Sequence, residues 1–220
     1  MEVTYYGHAA FLLKADDGTA ILIDPFDDQV GYAMPDVAPT AVTVSHEHSD
    51  HSHVAAAKGN PKIVRGLTDG GKDWAKVDER VGGVRITTVP TFHDPTGGSQ
   101  RGRNSAFIFE VEGLRVVHAG DLGHPLDAAQ IKAIGRPDLL MIPVGGFYTI
   151  GPKEAEQVIA ALRPRVVIPM HYKTEVNAGW PIGTVDDFAG GKSMLPKGRT
   201  VSVSQETLPP EPAVWVLSHM

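Results

Sequence analysis

Cysteine is absent from this chain of 220 residues. That excludes disulfides, thiolate metal sites and a cysteine nucleophile, so any metal must be held by histidine and carboxylate. Basic residues are in the minority: 20 Lys and Arg stand against 26 Asp and Glu, for a formal net charge of −6. General nucleic-acid binding needs a basic surface, so a nucleic-acid partner is not expected, although Arg101 and Arg103 make a local basic spot. No apolar run approaches the roughly 20 residues of a membrane span. The opening Met1 to Leu13 lacks the basic stretch and long apolar core of an export signal, so a soluble, cytoplasmic protein is expected. What remains is ordinary: 42% hydrophobic and 21% charged residues, enough to bury a sizeable core. No shift in composition suggests a linker, so residues 1–220 read as a single domain. Association into homo-oligomers is compatible with this balance.

Short strands dominate the pattern. Phe11 to Lys14 and Ala20 to Ile23 flank a Gly18 turn and read as a hairpin that stops at Asp24-Pro25. Ala41 to Val44 is a buried-strand run leading into His46, and a short helix is expected around Val54 to Lys58. Lys62 to Val64 and Val84 to Val89 are further strands, the second ending near His93. A second hairpin, Ala106 to Phe109 and Arg115 to Val117, leads to Asp121. Leu126 to Ile134 reads as helical, and Leu139 to Val144 as a buried strand. Pro152 opens an amphipathic helix with Ala155, Val158, Ile159 and Leu162 on one face, and Pro164 ends it. Val166 to Ile168 then leads to His171, and two short strands follow Thr200. The hairpin ending at Asp24 and the hairpin ending at Asp121 echo each other, each followed by a buried strand that ends in a histidine, His46 or His171. Two similar halves packed sheet to sheet, with helices outside, would explain the echo.

Five polar clusters fall at strand ends, where α/β sheets place their ligands: Asp24, the run from His46 to His51, His93, Asp121 and His171. In His46-Glu47-His48-Ser49-Asp50-His51, the first two histidines are two residues apart on an extended strand end, so both can reach one metal. Asp50 and His51 sit on the following turn and can face a second. Such a cluster is costly to desolvate without a cation. Nitrogen and oxygen donors without sulfur suit Zn, Mn or Fe.

The motif His46-x-His48-x-Asp50-His51, with a later His, an Asp after Gly and a final His, resembles the metallo-β-lactamase superfamily over nearly the whole chain. Gly7-His8-Ala9-Ala10-Phe11, Ile23-Asp24-Pro25, His118-Ala119-Gly120-Asp121 and Ile168-Pro169-Met170-His171-Tyr172 resemble its branch of small metal-dependent hydrolases, related to ascorbate-6-phosphate lactonase and the phospholipase D that releases N-acylethanolamines. The resemblance implies a four-layer αββα sandwich whose two similar halves each contain a mixed sheet. It also implies two divalent metal ions, zinc first with manganese or iron as alternatives. His46, His48 and His93 would bind one ion, Asp50, His51 and His171 the other, and Asp121 would bridge them. Asp24 would orient the site from behind. An Asp rather than Cys at the bridging position sets the chain apart from the true β-lactamases that use a thiolate there.

Two such ions, about 3.5–4 Å apart, acidify a water between them and polarise the bond under attack. The implied activity is hydrolysis of an ester, lactone, thioester or phosphodiester bond in a small molecule, with Asp50 as the catalytic carboxylate. A phosphodiesterase or nuclease and a non-hydrolytic di-iron redox protein are the competing readings. Outside the ligand set, His8 reads as a supporting residue, a substrate contact or a core histidine. Tyr148 reads as a hydroxyl offered to substrate or as packing. Arg101, on the Gly-rich loop after His93, can bind an anionic group bidentately or serve as a solvated loop charge. Asn104 shares that loop, His124 borders the pocket and His118 is structural.

Overall fold

Alternation along the strands decides which core each side chain joins. In the computed structural model, which describes residues 1–219, the chain opens with strands β1 (Glu2–Gly7), β2 (Ala10–Lys14), β3 (Ala20–Ile23) and β4 (Ala41–Val44). Helix α1 (Ser49–Ser52), β5 (Lys62–Arg65) and a short ribbon of β6 (Leu67–Thr68) with β7 (Asp73–Trp74) follow. Next come β8 (Asp78–Val81), β9 (Val84–Phe92), β10 (Arg103–Val111), β11 (Leu114–His118), α2 (Ala128–Ile134) and β12 (Leu139–Pro143). The chain finishes with α3 (Pro152–Leu162), β13 (Val166–Met170), α4 (Val185–Ala189), β14 (Met194–Lys197), β15 (Thr200–Ser202) and β16 (Ala213–Leu217).

Two mixed sheets result, ordered β15-β1-β2-β3-β4-β5 and β14-β16-β13-β12-β11-β10-β9-β8. Between them lies one core: Val3, Tyr5, Phe11, Leu13, Ile21 and Ile23 meet Phe107, Phe109, Met141, Ile168 and Met170. Their neighbours in sequence point the other way. Ile108, Leu140, Ile142 and Val167 pack under Ala155, Val158 and Leu162 of α3, while Tyr6, Leu22, Val42 and Val44 pack under Phe26, Val30 and Tyr32. Both faces of both sheets are thus covered, which is why so many strands read as unbroken apolar runs. The αββα sandwich stands, although the layer over the first sheet is mostly loop with short helical turns. No helix among the described residues is long and apolar enough to cross a membrane.

The echo between halves holds for pairing but not for the histidines. In each half a hairpin (β2-β3, β10-β11) is followed by a parallel strand beside it (β4, β12). His46 follows β4, whereas His171 follows β13, one strand further out than β12. The helix expected at Val54 to Lys58 is a 3-10 turn at Val54–Ala56. Ala57 there bridges to Val37, and the Lys58 N–H is donated to the Val37 carbonyl at 2.7 Å, so tertiary pairing overrides a helix-forming run. Edge strand β8 is mostly charged, and edge strand β14 is four residues with a proline, so neither carries a pattern from which a strand is expected.

Candidate metal centre

Six strands end at one place: β1 delivers His8, β3 Asp24, β4 His46, β9 His93, β11 Asp121 and β13 His171. Three of these, His8, Asp24 and His171, have left-handed φ values of 54°, 45° and 52°. A non-glycine residue pays for that conformation, and such strain gathers where a side chain must be aimed. Asp121 is placed by its neighbours. A Cβ at Gly120 would collide with Asn104 Oδ1 and Ser45, and one at Gly123 with the His93–Asp94 backbone, so only glycine lets the loop come this close.

Asp24 works from behind. Fully buried, it accepts from Ser45 N at 2.8 Å, Ser45 Oγ at 2.5 Å and His51 Nδ1 at 3.0 Å. With its one hydrogen given to Asp24, Ser45 Oγ can only accept from His46 Nδ1, 3.0 Å away. One carboxylate therefore fixes the tautomer of both His46 and His51 and turns both Nε2 lone pairs toward the site.

There the lone pairs converge. Asp121 Oδ2 lies 3.1 Å from His93 Nε2, 3.3 Å from His171 Nε2 and 3.9 Å from His46 Nε2; its Oδ1 lies 3.3 Å from His51 Nε2. His46 Nε2 and Asp121 Oδ1 are buried without a hydrogen bond. Three donor groups have their ligand atoms within 4.8 Å of one another: His46, His48 and His93; His8, Asp50, His51 and His171; and Asp24, His46 and His51. The last is already joined by the hydrogen bonds through Ser45 and His51 Nδ1, which leaves two donor sets open to an ion. Asp121 stands between them, and a cation is what so many facing acceptors require. The electrostatics agree. Burial opposes charge on His51, yet the Asp121 and Asp50 carboxylates hold its pKa well above the ordinary value, so a cation binding there would take the place of a proton on Nε2. Burial would raise the Asp121 carboxyl, but the His171, His51 and His93 rings hold it well below. Burial and the neighbouring His51 ring push His46 well down, keeping it neutral as a ligand must be.

A cavity of about 390 Å³ opens over these atoms, lined by His48, Asp50, His93, Arg101, Asp121, Tyr148, His171 and Trp180. A larger recess of about 590 Å³, beside Met1, Lys14 and Thr207, touches none of them. Tyr148 carries the Arg101 guanidinium over its ring, 5.7 Å from the centroid, and Arg101 makes no salt bridge among the described residues.

Other sequence candidates fall elsewhere. His124 lies outside this cavity: its Nδ1 donates to the Pro125 carbonyl, and its Nε2 accepts from Phe92 N at 3.0 Å, so it braces the backbone before His93. Asn104 is not on the rim but buried in β10. It donates to Thr91 Oγ1 and the Ala119 carbonyl and accepts from Asp121 N at 3.0 Å. His118 is buried and donates from Nε2 to the Ala9 carbonyl, tying one sheet to the other. Glu47 turns away to pair with Arg65.

Sequence reasoning missed two residues. Asp94 is buried, and its carboxylate accepts from the backbone N–H groups of Thr96, Gly98, Gln100 and Arg101. Burial works against the charge, but these bonds and the Thr96 hydroxyl hold its pKa far below the usual range. Asp94 thus folds the loop that presents Arg101. Trp180 sits in a loop without periodicity and turns its edge toward His8 and Tyr148.

The model of the beta-lactamase superfamily domain matches residues 2–171. A UPF0173 metal-dependent hydrolase of Archaeoglobus fulgidus is 30% identical over 225 residues, spanning 92% of this chain and 94% of the relative. Another, from Methanoregula boonei, is 34% identical over 190 residues, spanning 79% and 83%. A Thermotoga maritima structure described as a Zn-dependent hydrolase of the metallo-β-lactamase superfamily superposes with a TM-score of 0.80 at 38% identity, covering 100% of this chain and 99% of that one. Converging histidines at strand ends, two facing sheets and these relatives lead to one conclusion: the chain belongs to the metallo-β-lactamase superfamily and is a metal-dependent hydrolase.

Proposed function

We propose that the protein uses two divalent ions to hydrolyse an ester, lactone, thioester or phosphodiester bond in a small anionic molecule. The observation that carries this is the cavity itself. Its floor is the converging donor set and its wall holds an arginine without a carboxylate partner. At about 390 Å³ it has the size of a small-molecule site. Arg101 suits a carboxylate or phosphate on the substrate, since its fork of N–H donors matches two oxygens.

His46, His48 and His93 would hold one ion, Asp50, His51 and His171 the other, with Asp121 between. Bound there, the ions would supply a water of lowered pKa and polarise the carbonyl or phosphoryl oxygen. The chain's own residues do the rest. Asp24 keeps the His46 and His51 lone pairs aimed. Asp50, 28% exposed and lining the cavity, orients the attacking water and passes a proton to the leaving oxygen or sulfur. Tyr148 and Trp180 form an aromatic wall against the substrate body.

Metal analysis coupled to a screen of p-nitrophenyl esters, lactones, thioesters and bis-p-nitrophenyl phosphate tests this reading. Two equivalents of metal and turnover of one class are expected. Asp50→Asn, assayed in enough excess metal to fill both sites, should lower kcat by about two orders of magnitude or more. Arg101→Ala should raise KM about tenfold for anionic substrates and leave neutral ones unchanged. Redox activity with no hydrolysis, or full turnover in Asp50→Asn, would refute it.

A further inference from the structure

Of the histidines around the site, His8 is the one that the superfamily motif leaves without a role. It ends β1, is 1% exposed and holds a left-handed backbone. That backbone is fastened at both sides. Its carbonyl accepts from His171 N at 2.9 Å and from the Tyr5 hydroxyl at 3.0 Å. The ring packs against those of His171 and His51, with centroids 4.4 and 4.8 Å away. Its Nε2 lies 3.1 Å from His51 Nε2 and 3.2 Å from Asp50 Oδ2, while its Nδ1 has no partner.

A hydrogen bond accounts for this placement poorly. Asp24 holds a proton of His51 on Nδ1, so His51 acting as a ligand has only its Nε2 lone pair to offer. If His8 Nε2 carries a hydrogen it can serve His51 or Asp50 but not both well; Nδ1 lacks a partner in either tautomer, as it does in His93 and His171, and so does not decide between them. If Nε2 instead offers a lone pair, three acceptors converge on one point. The spacing fits the second case. Two nitrogens bound to one ion at about 2.0–2.1 Å stand roughly 2.9–3.4 Å apart, depending on the angle between them.

We propose that His8 is a direct ligand of the second metal ion, giving that centre the side chains of His8, Asp50, His51 and His171 beside Asp121. This rests on the two-ion reading above. The two centres then differ. The first has three histidines and the shared Asp121, enough for a tetrahedral ion. The second has five side-chain donors and calls for a higher coordination number.

The test is metal titration of chelator-stripped protein, followed calorimetrically with Zn2+ and by visible absorption with Co2+. His8→Asn keeps the backbone, because Asn tolerates the left-handed region, but is too short to reach the ion. His8→Gln is the second variant and is read the same way. Wild type should take up two equivalents. In both variants the first equivalent should bind as in wild type and the second about 100-fold more weakly or more. The weak Co2+ absorption of the higher-coordinate ion should give way to a stronger, tetrahedral-like band. An unchanged second equivalent with an unchanged Co2+ spectrum overturns the proposal, as does equal weakening of both equivalents, the mark of a purely structural residue. Fewer than two equivalents in wild type would instead sink the two-ion reading itself.

Discussion

Asp24→Asn is the most exacting perturbation of this site, because it changes almost nothing but hydrogen-bond chemistry. Asn has nearly the same volume and tolerates the φ of 45° at this position. The carboxylate has no room for an N–H. Oδ2 accepts from both Ser45 Oγ and His51 Nδ1, and Oδ1 from Ser45 N. An amide nitrogen in place of Oδ1 faces the Ser45 N–H; in place of Oδ2 it faces two donors at once. Either orientation breaks at least one buried bond, a loss of about 1–3 kcal/mol in stability. It also frees His51 to carry its proton on Nε2, the nitrogen that faces Asp121. Disturbing the partners that orient metal-binding histidines costs about 10–100-fold in affinity, or about 1.4–2.8 kcal/mol. Calorimetric metal titration measures the affinity, and long-range nitrogen–proton NMR spectra of the metal-free protein, taken at a pH where His51 has lost its second proton, report its tautomer. Wild-type affinity in a folded variant, with His51 still protonated on Nδ1, would refute the claim that Asp24 sets the tautomers.

Two further outcomes are expected. Asp94→Asn should loosen the Arg101 loop, raise KM more than it lowers kcat, and lower Tm by about 5 °C near neutral pH. The native carboxyl is held below its unfolded pKa, so its contribution is full above about pH 4 and lost as pH falls further. The Tm gap between wild type and variant should therefore close in acid; a gap independent of pH would count against this account. Asn104→Leu removes two donors and an acceptor from a buried strand and leaves Asp121 N–H, Ala119 C=O and Thr91 Oγ1 short of partners. A loss of about 2–4 kcal/mol in chemical denaturation is expected, and a loss below about 0.5 kcal/mol would show that Asn104 does not hold the Asp121 loop.

A residue is legible in the sequence when it acts through its side-chain type, and far less so when it acts through backbone geometry. The run from His46 to His51 announces itself because four donor side chains crowded into six residues repel one another's burial unless a cation joins them. Phe11, Phe107 and Ile168 read as core for a similar reason: strand period and apolar chemistry coincide. Asp94 gives no such signal, since its partners are backbone N–H groups two to seven residues on, and any Asp near glycines offers that possibility. Asn104 and His124 sit away from the pocket edge that the sequence suggests, because a Gly-rich loop has no period from which direction can be read. His8 lies 38 residues before His46 in the sequence. Only the pairing of β1 with β2, and the bond from His171 N to its carbonyl, bring it to the same centre.

The two donor sets draw on both sheets. His93 comes from the second sheet to meet His46 and His48, and His171 crosses to meet His8, Asp50 and His51. Neither sheet alone completes either donor set, so a bound ion would be a rivet through the sandwich, in a protein with no cysteine to make a covalent one. Its hold would scale with concentration, reaching roughly 4 kcal/mol at a thousand times Kd. A cell that starves this protein of metal would then weaken its fold as well as silence its chemistry, and the emptied chains would be the first that proteases clear.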